Sequence, residues 1–106
     1  MHMGEVTVTG NLPHEVIERL IRQEYGHVRE CYDELLRTKS EAKGRVTLEL
    51  SIDAKGTVTS AADHGSDIGD ATMVSCVGKV IGKVAFPAPE GGAVKATVPF
   101  TFEVAK

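Results

Sequence analysis

From Arg45 to Asp53 the chain alternates strictly, with Val46, Leu48, Leu50 and Ile52 apolar and Thr47, Glu49 and Ser51 polar. A repeat of two puts the apolar set on one face of a β-strand. Asp53-Ala54-Lys55-Gly56 follows, a tight-turn sequence whose glycine is free to take a positive φ. Thr57 to Ala62 then reads as the returning strand of a hairpin. The last segment, Ala93 to Val104, alternates again: Val94, Ala96, Val98, Phe100, Phe102 and Val104 oppose Lys95, Thr97, Thr101 and Glu103. Pro99 falls on the polar side of that segment. Because proline cannot donate to a neighbouring strand, it places the last strand at an edge of the sheet. Near the N-terminus, Val6 and Val8 alternate with Thr7 and Thr9 between Gly4 and Gly10, a further short strand.

Elsewhere the apolar spacing is three to four. Between Pro13 and Arg37, Val16, Ile17, Leu20, Ile21, Tyr25, Val28, Cys31, Tyr32, Leu35 and Leu36 form one broad helical stripe. Asn11 is the expected cap, with Pro13 in the first turn, and Gly26 is the expected point of a kink or break. Asp70 caps a second helix, whose stripe is Met73, Val74, Cys76, Val77, Val80, Ile81 and Val84, with Lys79 and Lys83 outside it. Gly78 and Gly82 share one face of this helix, which points to close backbone packing. Phe86-Pro87-Ala88-Pro89-Glu90-Gly91-Gly92 reads as a rigid turn. The order strand, helix, strand, strand, helix, strand predicts an α+β fold, β-α-β-β-α-β. Its two helices lie on one face of an antiparallel sheet and the other face is wet.

Composition narrows the function rather than the fold. The 106 residues carry 42% hydrophobic and 25% charged positions, enough for one packed domain over residues 4–106. Met1-His2-Met3 reads as a cloning remnant and is set aside from the fold. Twelve Lys and Arg against fifteen Asp and Glu give a net charge of −3, which argues against nucleic acid and anionic membrane surfaces as partners. No apolar run is long enough to cross a bilayer, so direct membrane insertion of this segment is not expected.

The candidate chemistry is sparse. His27 lies four residues before Cys31, and with Cys76 it offers a zinc site of only three ligands. His64, Ser66 and Asp67 hold the residue types of a hydrolase triad but share one short loop, where a solvated turn is the simpler reading. The cysteines are far from Cys-x-x-Cys spacing, which argues against a redox catalyst. The residues alone leave buried thiols, a bridge and a metal or redox centre open for Cys31 and Cys76. They assign no catalytic residue and no cofactor, and the chain is expected not to be an enzyme.

Arg29-Glu30-Cys31-Tyr32-Asp33-Glu34-Leu35 resembles the Cys-Tyr-Glu helix signature of the AgmX/PglI C-terminal domain family. Gly44-Arg45-Val46, Ile52 with Gly56-Thr57-Val58, Gly65-Ser66, Ser75-Cys76-Val77, Phe86-Pro87-Ala88-Pro89 with Gly91-Gly92, and Pro99-Phe100-Thr101-Phe102 follow in the family's order, over residues 14–104. Two places depart from it: Ser40-Glu41-Ala42-Lys43 lacks the usual Pro and Leu, and Ala85 stands where an aromatic residue is common. The resemblance implies a TonB C-terminal-like fold. It also implies the periplasmic, C-terminal part of a protein anchored in the inner membrane, within a gliding-motility-type envelope machine. The implied work is energy transduction, tethering or force transmission to periplasmic or outer-membrane protein segments by edge-strand pairing, with a homodimer or structural dimerisation domain as the alternative. It favours a Cys31–Cys76 disulfide, the family carrying cysteines at both places. On the last strand, the residues exposed to such pairing are Val94, Lys95, Ala96, Thr97, Val98, Thr101 and Glu103.

Overall fold

A computed structural model describes residues 2–103. In chain order the elements are β1 (His2–Met3), β2 (Thr7–Asn11), α1 (His14–Arg22), α2 (Tyr25–Leu36), β3 (Gly44–Ile52), β4 (Val58–Asp63), α3 (Ala71–Gly82) and β5 (Glu90–Phe102). All strands join one antiparallel sheet in the order β1-β5-β3-β4, with β2 continuing the β1 side of β5. The alternation read from the sequence becomes the core directly. Val46, Leu48, Leu50 and Ile52 pair across the ladder with Phe100, Val98, Ala96 and Val94, and all eight are buried. Ile17, Ile21, Val28, Tyr32 and Leu35 from α1 and α2, and Met73, Val77 and Ile81 from α3, complete that core. Val104 lies outside the described residues.

The helical stripe between Pro13 and Arg37 breaks as expected, but at Gln23-Glu24 rather than at Gly26, which sits inside the first turn of α2. Pro13, not Asn11, occupies the cap position of α1, and it contributes no side-chain bond. Asn11 instead ends β2 opposite Glu90. Asp70 does cap α3, accepting from the Met73 amide at 2.8 Å. Glu90-Gly91-Gly92 belongs to β5 rather than to the preceding turn, with both glycines at positive φ where β2 shifts register.

The last strand is not an edge. β5 is flanked by β3 along Val94–Phe102 and by β1 and β2 on its other side. Pro99 survives there for a geometric reason. Its carbonyl accepts from the Gly4 amide at 2.9 Å, so the missing N–H faces the same N-terminal side. That side is where the chain is interrupted between Met3 and Thr7, and no ladder donor is required. His2 and Met3, set aside from the fold in the sequence reading, pair with Thr101 and Phe100, and the Met3 amide donates to the Tyr25 hydroxyl at 2.9 Å.

Two motifs far apart in the chain form one junction. Asp53 holds the β3–β4 turn by accepting from the Lys55 and Thr57 amides, each at 2.9 Å. Gly56, at φ +88°, leaves room for the Phe86 carbonyl, while the Phe86 amide donates to the Gly56 carbonyl at 3.0 Å. The Phe-Pro segment is thereby seated against the turn, and Phe86 is buried.

Candidate partner-binding site

With β5 enclosed, the strand residues assigned to pairing change. Val94, Ala96 and Val98 are buried, and Lys95, Thr97 and Thr101 lie on the wet face with their backbones already engaged in the sheet. Glu103 lies just beyond the end of β5. None of the six within β5 offers a free backbone edge. The open flank belongs to β4, which pairs with β3 on one side and has no strand on the other among the described residues.

β4 carries mostly small side chains, apolar and polar: Val58, Thr59, Ser60, Ala61, Ala62 and Asp63. α3 runs beside it, and the two enclose an open groove of about 830 Å³. On the helix side the groove meets Ala71, Val74, Ser75, Gly78 and Gly82. Gly78 comes closest to the sheet, where an added methyl would meet the Ala61 carbonyl at 3.5 Å; at Gly82 it would meet nothing within 4 Å. The shared glycine face of α3 therefore packs near β4 at one position and leaves space at the next. Unpaired backbone groups beside a channel lined by small side chains are the physical requirement for adding an extended segment as a further strand.

The free edge ends at Asp63 because a loop seals what lies beyond it. The Ser66 hydroxyl accepts from the Thr47 amide at 2.9 Å and donates to its carbonyl at 3.3 Å. Asp67 accepts from the Arg45 amide at 2.6 Å. The Ser66 and Asp67 side chains thus occupy the β3 edge as a strand would. Asp63 accepts from the Ser66 amide at 2.9 Å, and its carboxyl is held below the ordinary range by hydrogen bonds from Ser66, side chain first and then backbone. His64 lies 3.8 Å from Glu49 rather than against Ser66. Ser66 and Asp67 are spent on closing the loop, and His64 stands apart from them.

The structure joins Cys31 of α2 to Cys76 of α3, with sulfurs 2.06 Å and Cα atoms 5.8 Å apart. Bonded to each other, the sulfurs are not thiolate ligands for zinc. His27 is exposed and directed elsewhere, its Nδ1 2.7 Å from the Glu24 carboxylate, which raises the imidazole pKa first through that hydrogen bond and then through its charge. Among the described residues no group of three or more His, Cys, Asp or Glu is placed to hold a metal. A second groove, about 860 Å³, runs over the bridge between α2 and α3, with Glu30 and Glu34 on one bank and Lys79 and Lys83 on the other. No helix of the described residues is long and apolar enough to cross a membrane.

The sequence signalled the closed loop through Gly65-Ser66 and the small residues of α3 through Gly78 and Gly82. It gave no local sign that β4 would be the outer strand, since strand order depends on partners distant in the chain. No family model matches the chain, and no curated protein sequence does. Its backbone is similar to the solution structure of the Helicobacter pylori TonB C-terminal domain, residues 179–285 of that protein. The TM-score is 0.63 at 16% identity, over 90% of this chain and 86% of the other. Antiparallel sheet, helices on one face and element order together give this chain the TonB C-terminal-domain fold.

Proposed function

We propose that the chain is a non-enzymatic protein-interaction module of a bacterial cell envelope, which captures an extended segment of a partner as an added strand on β4. The observation that carries this reading is the unpaired β4 edge beside the α3 groove. The TonB-like fold supports it, as does the AgmX/PglI-type order of motifs. In the same reading the domain is the periplasmic end of an inner-membrane-anchored protein, and it tethers or transmits force to a periplasmic or outer-membrane segment. A bridge between Cys31 and Cys76 suits an oxidising compartment. The partner site moves from the last strand, where the sequence placed it, to the strand that the sheet leaves open.

The test is amide mapping by NMR during titration with periplasmic and outer-membrane protein segments presented as extended peptides. Strand addition shifts the Val58–Asp63 amides and slows their exchange, while β5 amides stay as they were. Binding that shifts only the wet sheet face, or only the α2–α3 groove, would displace the β4 reading. Gly82→Leu, whose Cβ meets nothing within 4 Å and whose side chain enters the groove, is expected to abolish capture and leave the melting temperature within about 2 °C.

A further inference from the structure

The β4 groove is not uniform along its length. Where β4 ends and α3 begins, it is bordered by two carboxylates, Asp63 and Asp70. Toward the C-terminal half of α3 it is bordered by Lys79, which is exposed and makes no ion pair among the described residues. Asp70 is already partly balanced by Lys39 at 3.5 Å, which leaves Asp63 the stronger charge at its end. Between the ends the walls are small, with Thr59, Ser60 and Ser75 beside an apolar part formed by Ala61, Val74 and Gly78.

We infer that the captured segment is itself polar along its length: a basic residue near its N-terminal end, a branched apolar residue at its centre and an acidic residue near its C-terminal end. This inference rests on the reading of β4 as the partner edge. The direction follows from the sheet, whose pairings are all antiparallel, the better-bonded arrangement per residue. An antiparallel newcomer starts beside Asp63 and runs toward Val58, passing Lys79 of the C-terminal half of α3 in its second half. A basic residue then meets Asp63 as it enters, and an acidic one meets Lys79 as it leaves. Its central side chain faces the small wall formed by Ala61, Val74 and Gly78. Complementary charges of this kind set direction and register more than total affinity.

Two synthetic nonapeptides test it against the whole chain in its oxidised form. One carries Arg at its second position, Ile at the centre and Asp at the eighth; the other exchanges the Arg and the Asp. The first is expected to bind about fivefold to tenfold more tightly at low salt, shifting the Val58–Asp63 amides, with the preference shrinking as salt rises. Lys79→Glu is expected to remove about fivefold of that preference, and a peptide with Lys at the eighth position to restore it. Equal binding of both peptides at β4 overturns the charge inference and leaves the β4 reading standing. If neither peptide perturbs β4, both fall. A β4-to-β4 dimer also brings Asp63 of one copy near Lys79 of the other, so sedimentation of the protein alone is the remaining arm. A dimer that occupies β4 and excludes both peptides overturns the inference in favour of a second copy of this chain.

Discussion

A methyl group at Gly56 would collide with the Phe86 carbonyl, and the residue sits at φ +88°, where a side chain is strained in any case. Gly56→Ala is therefore expected to cost about 3 kcal/mol, the upper end of ordinary single substitutions, because turn and Phe-Pro segment must both move. Gly26 is the control. It is helical, nothing lies within 4 Å of its would-be Cβ, and Gly26→Ala should stabilise by about 0.5–1 kcal/mol. Chemical denaturation of the two variants separates a glycine needed for space from one that is merely tolerated. His27 supplies the pH-dependent counterpart. Glu24 raises its pKa above the ordinary 6.5, first through a hydrogen bond and then through charge. A raised imidazole stabilises the fold below its unfolded value and loses that contribution as pH rises through the folded one. An NMR titration should show the His27 midpoint falling in Glu24→Gln. A midpoint that stays put would separate the two groups in solution.

At the scale of elements, α3 is held to α2 by the bridge and to the sheet by Met73, Val77 and Ile81. The bridge closes 45 residues of chain, which by loop entropy is worth about 4 kcal/mol. Replacing both cysteines with serine should lower stability by about that amount and loosen α3 first, since the β3–β5 ladder does not run through it. Hydrogen exchange resolved by residue checks the order of loss. Alkylation of denatured protein prepared under oxidising conditions checks the bond itself: no label without reductant and two with it. The alternating strands and the two apolar helical stripes were legible because each is a local repeat. The placement of β5 was not. The rule that confines proline to edges is sound, yet Pro99 satisfies it in a central strand because its missing donor faces a break in β1–β2. Nothing within the last segment records that break. The cap of α1 failed for a similar reason, Asn11 being drawn into β2 by Glu90 across 79 residues of chain.

Across the described residues the sheet has one flank closed by β1 and β2 and the other left open. Closure of the first flank depends on a short stretch: β1, the Gly4–Pro99 bond and β2, with Val6 buried beneath and Val8 half-buried. Removing residues 1–10 should cost about 2–3 kcal/mol of burial. It should also change what the domain binds. β5 would become a second edge, longer than β4 and rich in valine and phenylalanine, the kind that pairs with copies of itself. The shortened chain is expected to associate with rising concentration in sedimentation, through β5, while the full chain keeps β5 enclosed and presents β4. If the shortened chain stayed monomeric and equally stable, β1 and β2 would be dispensable, and Pro99 alone would suffice to blunt the edge. The two flanks thus make opposite demands on sequence. A strand that must exclude partners is covered by chain and interrupted by proline. On the proposed reading, a strand that receives them keeps small side chains, open backbone and a helix alongside, as β4 does beside α3.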